Sequence, residues 1–257
     1  MPRARGRPTE TEALLVAKDP FIKERQDSCL AARRAGTADE RSRSAEDAFF
    51  RAAAALEAFL SEWVIRCVSF DSTKLRGTYE AKAANEAQSL LWREWEPSSR
   101  LWTSTSQPTI NVSIALSKKH ALEQTVRLLG RDDDNLSFTG AAAFKQTANE
   151  LLIEKYAKRA RTLAQRNDRV LDATIAIRNV IAHRSQRALT RMNQCLGSTH
   201  LPQGLRRMTA VSSSGVGYYL RTEGTAGRPR FEVFFDELAE IAHILARKPG
   251  PRPVICP

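Results

Sequence analysis

Little in this chain can hold a metal, cross a membrane or staple a small fold. Of its 257 residues only four are cysteine and four histidine. Cys29, Cys67, Cys195 and Cys256 form no CxxC pair, and their spacing fits neither a zinc site nor a disulfide framework. His120, His183, His200 and His243 are scattered, so no metal site and no cofactor is expected. Reduced thiols in a cytoplasmic protein are the default. No run of about 18 apolar residues occurs, which argues against a membrane-spanning helix. Near the N-terminus the apolar patch Ala13–Ala17 is too short for a signal-peptide core. Aromatic residues (7%) and the 12 glycines are few, and that leans away from a β-rich fold. Acidic side chains are short in number too. The 29 Asp and Glu against 40 Lys and Arg leave a formal net charge of +11. Such a surface favours polyanions such as nucleic acid. An anionic membrane would also attract it, but no strongly amphipathic basic helix directs the chain there.

What is present is helical periodicity. From Ala45 to about Phe70, the residues Phe49, Leu56, Phe59, Leu60, Trp63 and Cys67 recur mostly at three- and four-residue steps among alanines. Ser44 is a plausible N-cap there, with Asp47 at the capping-box position. Further helices are expected over about Tyr79–Trp95, Lys118–Leu129 and residues 141–165. A long helix should run from about Arg169 to Cys195, closed by Gly197, and a last one over Phe231–Arg247. Gly215–Arg221 alternates weakly and reads as a short strand paired across Gly224–Gly227, a small β-hairpin near the C-terminus. Residues 97–113 read as an irregular crossing, and the run Asp132–Asp134 as solvated loop charge rather than a cation site. The fold class is therefore all-α, a bundle of about five or six helices over residues 45–247. A basic, flexible arm (1–44), with one short helical candidate near Thr11–Ala17, precedes it and a short tail (248–257) follows. Arg5-Gly6-Arg7-Pro8 in the arm matches the core of a minor-groove AT-hook, or else belongs to a tail that attracts phosphates non-specifically.

One decapeptide stands apart, IAIRNVIAHR at 175–184. On a helix, Val170, Thr174, Ile177 and Ile181 share the core stripe, while Asp172, Ala176, Asn179 and His183 share a second stripe beside it. Asn179 and His183 are i, i+4 neighbours, and Arg178 can reach over them. Histidine exchanges a proton near neutral pH, arginine grips phosphate oxygens, and asparagine orients a hydroxyl. Together they suit attack of a ribose 2′-OH on its neighbouring phosphate, a reaction whose nucleophile RNA itself supplies. Asp172 either orients His183 or neutralises a nearby arginine. Glu57, among Ala53, Ala54 and Ser61, lies off the main apolar stripe and reads as an exposed surface carboxylate. Lys155, Lys158, Arg159, Arg161, Arg166 and Arg169 form a basic run leading into the motif helix, and Arg184 and Arg187 follow it. These are the candidate RNA-binding side chains.

Arg178-Asn179-x-x-x-His183 resembles the signature of the HEPN family, an arginine and a histidine with four to six residues between them, often with a polar residue after the arginine. Residues 48–68 look like the family's opening helix. The segment RPRFEVFFDELAEIAHIL is similar to the closing helix of the RNase-LS/PSP-associated type. The resemblance implies a HEPN-like helical bundle that forms a homodimer with the motif helices facing each other. It implies metal-independent endoribonuclease activity on tRNA, mRNA or rRNA, leaving 2′,3′-cyclic phosphate ends. A toxin or antiviral role, with an antitoxin or defence-system partner, goes with it. Arg178, Asn179 and His183 take the family's catalytic positions, and Glu57 loosely matches an acidic position in some opening helices. Two other readings stay open. One is a non-catalytic module that binds nucleotides or nucleic acid through the same arginines. The other is a DNA-associated protein acting through the arm.

Overall fold

A computed structural model describes residues 10–33, 36–94, 110–129, 136–224 and 227–247. The AT-hook match at Arg5–Pro8, residues 97–109 of the expected crossing, the triple Asp and the tail lie outside them.

The fold is built around one long helix. Thr37 opens it with a capping box: its Oγ1 accepts the Glu40 N–H at 3.2 Å, and the Glu40 carboxylate accepts the Thr37 N–H at 2.8 Å. The helix, α2, then runs over Ala38–Phe70, its cap lying seven residues before the expected one at Ser44. The small alanines Ala45, Ala48, Ala52 and Ala53 are buried beside Phe49, Leu56, Leu60 and Trp63, so neighbouring helices approach it closely. Trp63 is fully buried, and its Nε1–H donates to the Leu245 carbonyl at 3.0 Å. A ring buried this way stabilises by burial and adds a satisfied polar contact.

Residues expected as a flexible arm form α1, Glu10–Arg33, with Pro20 inside it. Leu14, Ala17 and Phe21, spaced three and four apart, are buried, and Phe21 lies on Phe59 with ring centroids 6.3 Å apart. Arg25 pairs with Asp236 at 2.9 Å, and Lys18 Nζ lies 3.1 Å from His243 Nδ1. An interior proline removes a helix hydrogen bond. Tertiary burial of that apolar stripe outweighs the loss.

The remaining helices are α3 (Thr73–Glu94), α4 (Leu122–Leu128), α5 (Ala141–Leu151), α6 (Glu154–Arg161), α7 (Gln165–His183), α8 (Gln186–Leu196), α9 (Val216–Arg221) and α10 (Arg230–Ala246). The fold is all-α, and the ten α-helices among the described residues exceed the expected count because two long segments break and because the expected arm and the expected strand each form a helix. The segment 141–165 is interrupted at Leu152–Ile153, and the long motif helix ends at His183. Arg184 takes a left-handed conformation (φ 48°, ψ 20°), and Ser185 caps α8 by accepting the Ala188 N–H at 3.3 Å. The expected hairpin is also corrected. Its first strand is helix α9, and among the described residues a single antiparallel bridge, Glu223–Pro229, remains. Val216, Tyr219 and Leu220 fall at i, i+3 and i+4, and all three are buried, which a strand would not achieve. Among the described residues no helix is long and apolar enough to cross a membrane.

Candidate functional site

The site is carried by α7. Val170, Ala173, Thr174, Ile177 and Val180 are buried, so the expected core stripe holds the helix against the bundle. The polar residues of the second stripe divide sharply along its length.

Asp172 is committed to the fold. Its Oδ1 accepts the Ala141 N–H at 2.9 Å, capping the start of α5, and its Oδ2 lies 3.4 Å from Arg169. Gly140 makes this approach possible, because a Cβ there would sit 2.7 Å from the same Oδ1. Of the two roles open to Asp172, its contacts are those of a helix cap and an arginine partner. No contact with His183 is among them.

Nearly two turns further on, Arg178 and Asn179 line a cleft of about 460 Å³ with Glu57 and Ala58 of α2 and residues 136–139. Arg178 Nη1 donates to Asn179 Oδ1 at 3.1 Å, and its Nη2 lies 3.5 Å from the Glu57 carboxylate. The guanidinium also lies 5.8 Å from the Phe50 ring centroid, a cation–π arrangement. Its Nε is buried without a hydrogen-bond partner. Burial pushes the Glu57 carboxyl above the ordinary glutamate value, and the Arg178 charge only partly offsets that rise. Glu57 is thus half-buried and paired, not a free surface carboxylate.

His183 is the last residue of α7, not a mid-helix one as its sequence setting suggests. Its side chain is exposed, and it is not a lining residue of the Arg178 cleft. Backbone geometry places it one turn beyond Asn179, on the same side of the helix.

The basic residues separate in the same way. Arg159 is 7% exposed and donates to the Leu245 carbonyl at 3.1 Å, so it belongs to the core and is withdrawn from RNA contact. Arg161 is paired with Glu154 and Arg166 with Glu237, while Arg169 is held by Asp172. Arg184 is bound to Glu46 and to the Ser213 carbonyl. Lys155, Lys158 and Arg187 are exposed. Sequence reasoning missed Phe50 and residues 136–139 as parts of the site, because nothing local marks a ring or loop that meets α7 only through the tertiary fold. Among the described residues, no three His, Cys, Asp or Glu side chains cluster so as to hold a metal ion. In comparisons with known proteins, no family model, no curated protein and no solved structure matches the chain.

Proposed function

We propose that the chain is a metal-independent endoribonuclease of HEPN type that cleaves RNA through its own 2′-OH. The observation that supports this reading is the grouping on α7: Arg178 and Asn179 in an open cleft, and an exposed His183 one turn further along. In the proposed reaction the 2′-OH gives up its proton as the O2′–P bond forms. The P–O5′ bond breaks, and the departing 5′-oxygen takes a proton. His183 is the proton carrier, and Arg178 offsets the charge that gathers on the phosphorane. Glu57 and Asn179 hold the guanidinium in place until phosphate oxygens compete for it.

A homodimer with its α7 helices face to face would bring a second His183 near the same phosphate, one to remove and one to supply a proton. A toxin or defence role, with tRNA, mRNA or rRNA as substrate and an antitoxin or defence-system partner, accompanies this proposal through the sequence resemblance alone. The test is cleavage of total tRNA and of single-stranded RNA in excess EDTA by the wild type and by His183→Ala, with the product ends mapped. Cyclic phosphate ends from the wild type alone are the expected outcome. Equal cleavage by both proteins sinks the reading. Binding without cleavage moves the same cleft to a non-catalytic, nucleotide- or nucleic-acid-binding role.

A further inference from the structure

A second polar groove, of about 590 Å³, opens where the start of α2 meets α9 and the end of α7. It has a rigid frame. Gly217 lets α9 press onto α2, since a Cβ there would lie 2.4 Å from the Ser42 carbonyl oxygen. The Gly217 N–H donates to Glu46 Oε1 at 2.8 Å, and Arg184 joins the same carboxylate to the Ser213 carbonyl. Glu46 is therefore neutralised inside the frame. Arg221 donates through Nε to Ser42 Oγ at 2.8 Å, and its guanidinium lies 4.8 Å from the Tyr218 ring centroid.

Tyr218 and Arg43 reach the groove outside the Glu46 frame, with the exposed Asp39 also on its wall. Tyr218 is 59% exposed, the one exposed aromatic among the residues whose burial is described. Arg43 lines the groove with neither an ion pair nor a hydrogen bond among the described residues. A ring backed by one arginine and flanked by a second, uncommitted one is suited to an unpaired base and its phosphate. The bases of a duplex are already stacked on one another and cannot use the ring. Arg184, a wall of the groove, directly follows His183 in the chain.

We infer that this groove binds a nucleotide of single-stranded RNA, with its base on Tyr218 and its phosphate on Arg43 and Arg221. The inference rests on the ribonuclease reading only for which nucleotide is held, one flanking the scissile phosphate. The test uses the full chain carrying His183→Ala and a fluorescently labelled single-stranded RNA, with binding followed by anisotropy. Tyr218→Ala should weaken binding about tenfold, the scale of one lost base stack, whereas Tyr218→Phe should retain it. Arg43→Ala should flatten the dependence of log affinity on log salt by roughly one phosphate's worth. Duplex RNA affinity should not respond to Tyr218→Ala. Unchanged single-strand affinity in both Tyr218→Ala and Arg43→Ala overturns the inference, as does an equal loss for duplex. The two proposals fail separately. Tyr218-dependent binding by a chain that never cuts RNA keeps the groove and discards the ribonuclease. Cleavage and binding that ignore Tyr218 do the reverse.

Discussion

The middle of α7 and its C-terminal end treat their polar side chains in opposite ways. Around Asp172 the polar groups are absorbed by the fold: the carboxylate caps α5 and steadies Arg169. At His183 the helix simply ends, and the imidazole stands in solvent with no hydrogen bond among the described residues. Arg178 lies between these extremes, half-buried and held, yet open to a cleft. A polar residue on a helix face is therefore not a functional residue by its chemistry alone. What separates the two classes is whether the fold already uses the group.

The sharpest way to break this contrast is to exchange the expected outcomes at its two ends. His183→Ala should lower RNA cleavage by about 10²- to 10⁴-fold, the usual contribution of a positioned acid–base group, and leave the melting temperature unchanged. Asp172→Ala should cost about 1–2 kcal/mol in chemical denaturation, through loss of the α5 cap, yet keep cleavage per folded molecule. A destabilised His183 variant, or a stable but dead Asp172 variant, would erase the distinction. Gly140→Ala tests the same cap from the other side. Its Cβ would crowd Asp172 Oδ1, so a loss on the order of 1–3 kcal/mol is expected from equilibrium unfolding.

Two smaller effects sharpen the middle of the comparison. The Glu57 carboxyl titrates above the ordinary 4.5, so the folded state keeps that proton to higher pH than the unfolded chain does. Stability must then fall as pH rises from 4.5 through the folded value, and Glu57→Gln should remove that slope from thermal melts. His243 carries the opposite sign. Burial, then the nearby Lys18, holds it below the ordinary 6.5. Its contribution is complete above pH 6.5 and is lost as pH falls through the folded value. His243→Gln should flatten that acid-side decline, the smallest change of the set, and melts from pH 5 to 8 would measure it.

Much of this was legible wherever periodicity and burial agree. The apolar steps at Phe49, Leu56, Leu60 and Trp63 identified α2, and Phe234, Phe235, Leu238, Ile241 and Leu245 identified α10; all are buried. Arg178 and Asn179 were legible as residues that share a cleft, though their link to Glu57 was only a loose expectation. Features set by tertiary contact were not legible. No glycine or proline marks the turn at Arg184, which is anchored by Glu46, 138 residues away. Pro20 and mixed charge hid the short apolar stripe of α1. Arg159 looked like one cation of a basic run, but the α10 carbonyl that buries it lies 86 residues away. In the 216–221 segment, period-two alternation and the i, i+3, i+4 spacing coexist, and packing against α2 selects the helix.

The Leu245 carbonyl is where time enters the molecule. It accepts from Trp63, 182 residues earlier, and from Arg159, 86 residues earlier. A chain emerging from the ribosome therefore holds both donors long before their shared acceptor exists. Until α10 arrives, the indole and the guanidinium lack this shared acceptor, and burying them without it carries a desolvation cost. Helix α10 thus acts as the keystone for both donors, and α2 and α6 should gain their protection from hydrogen exchange together, only after residue 245 is in place.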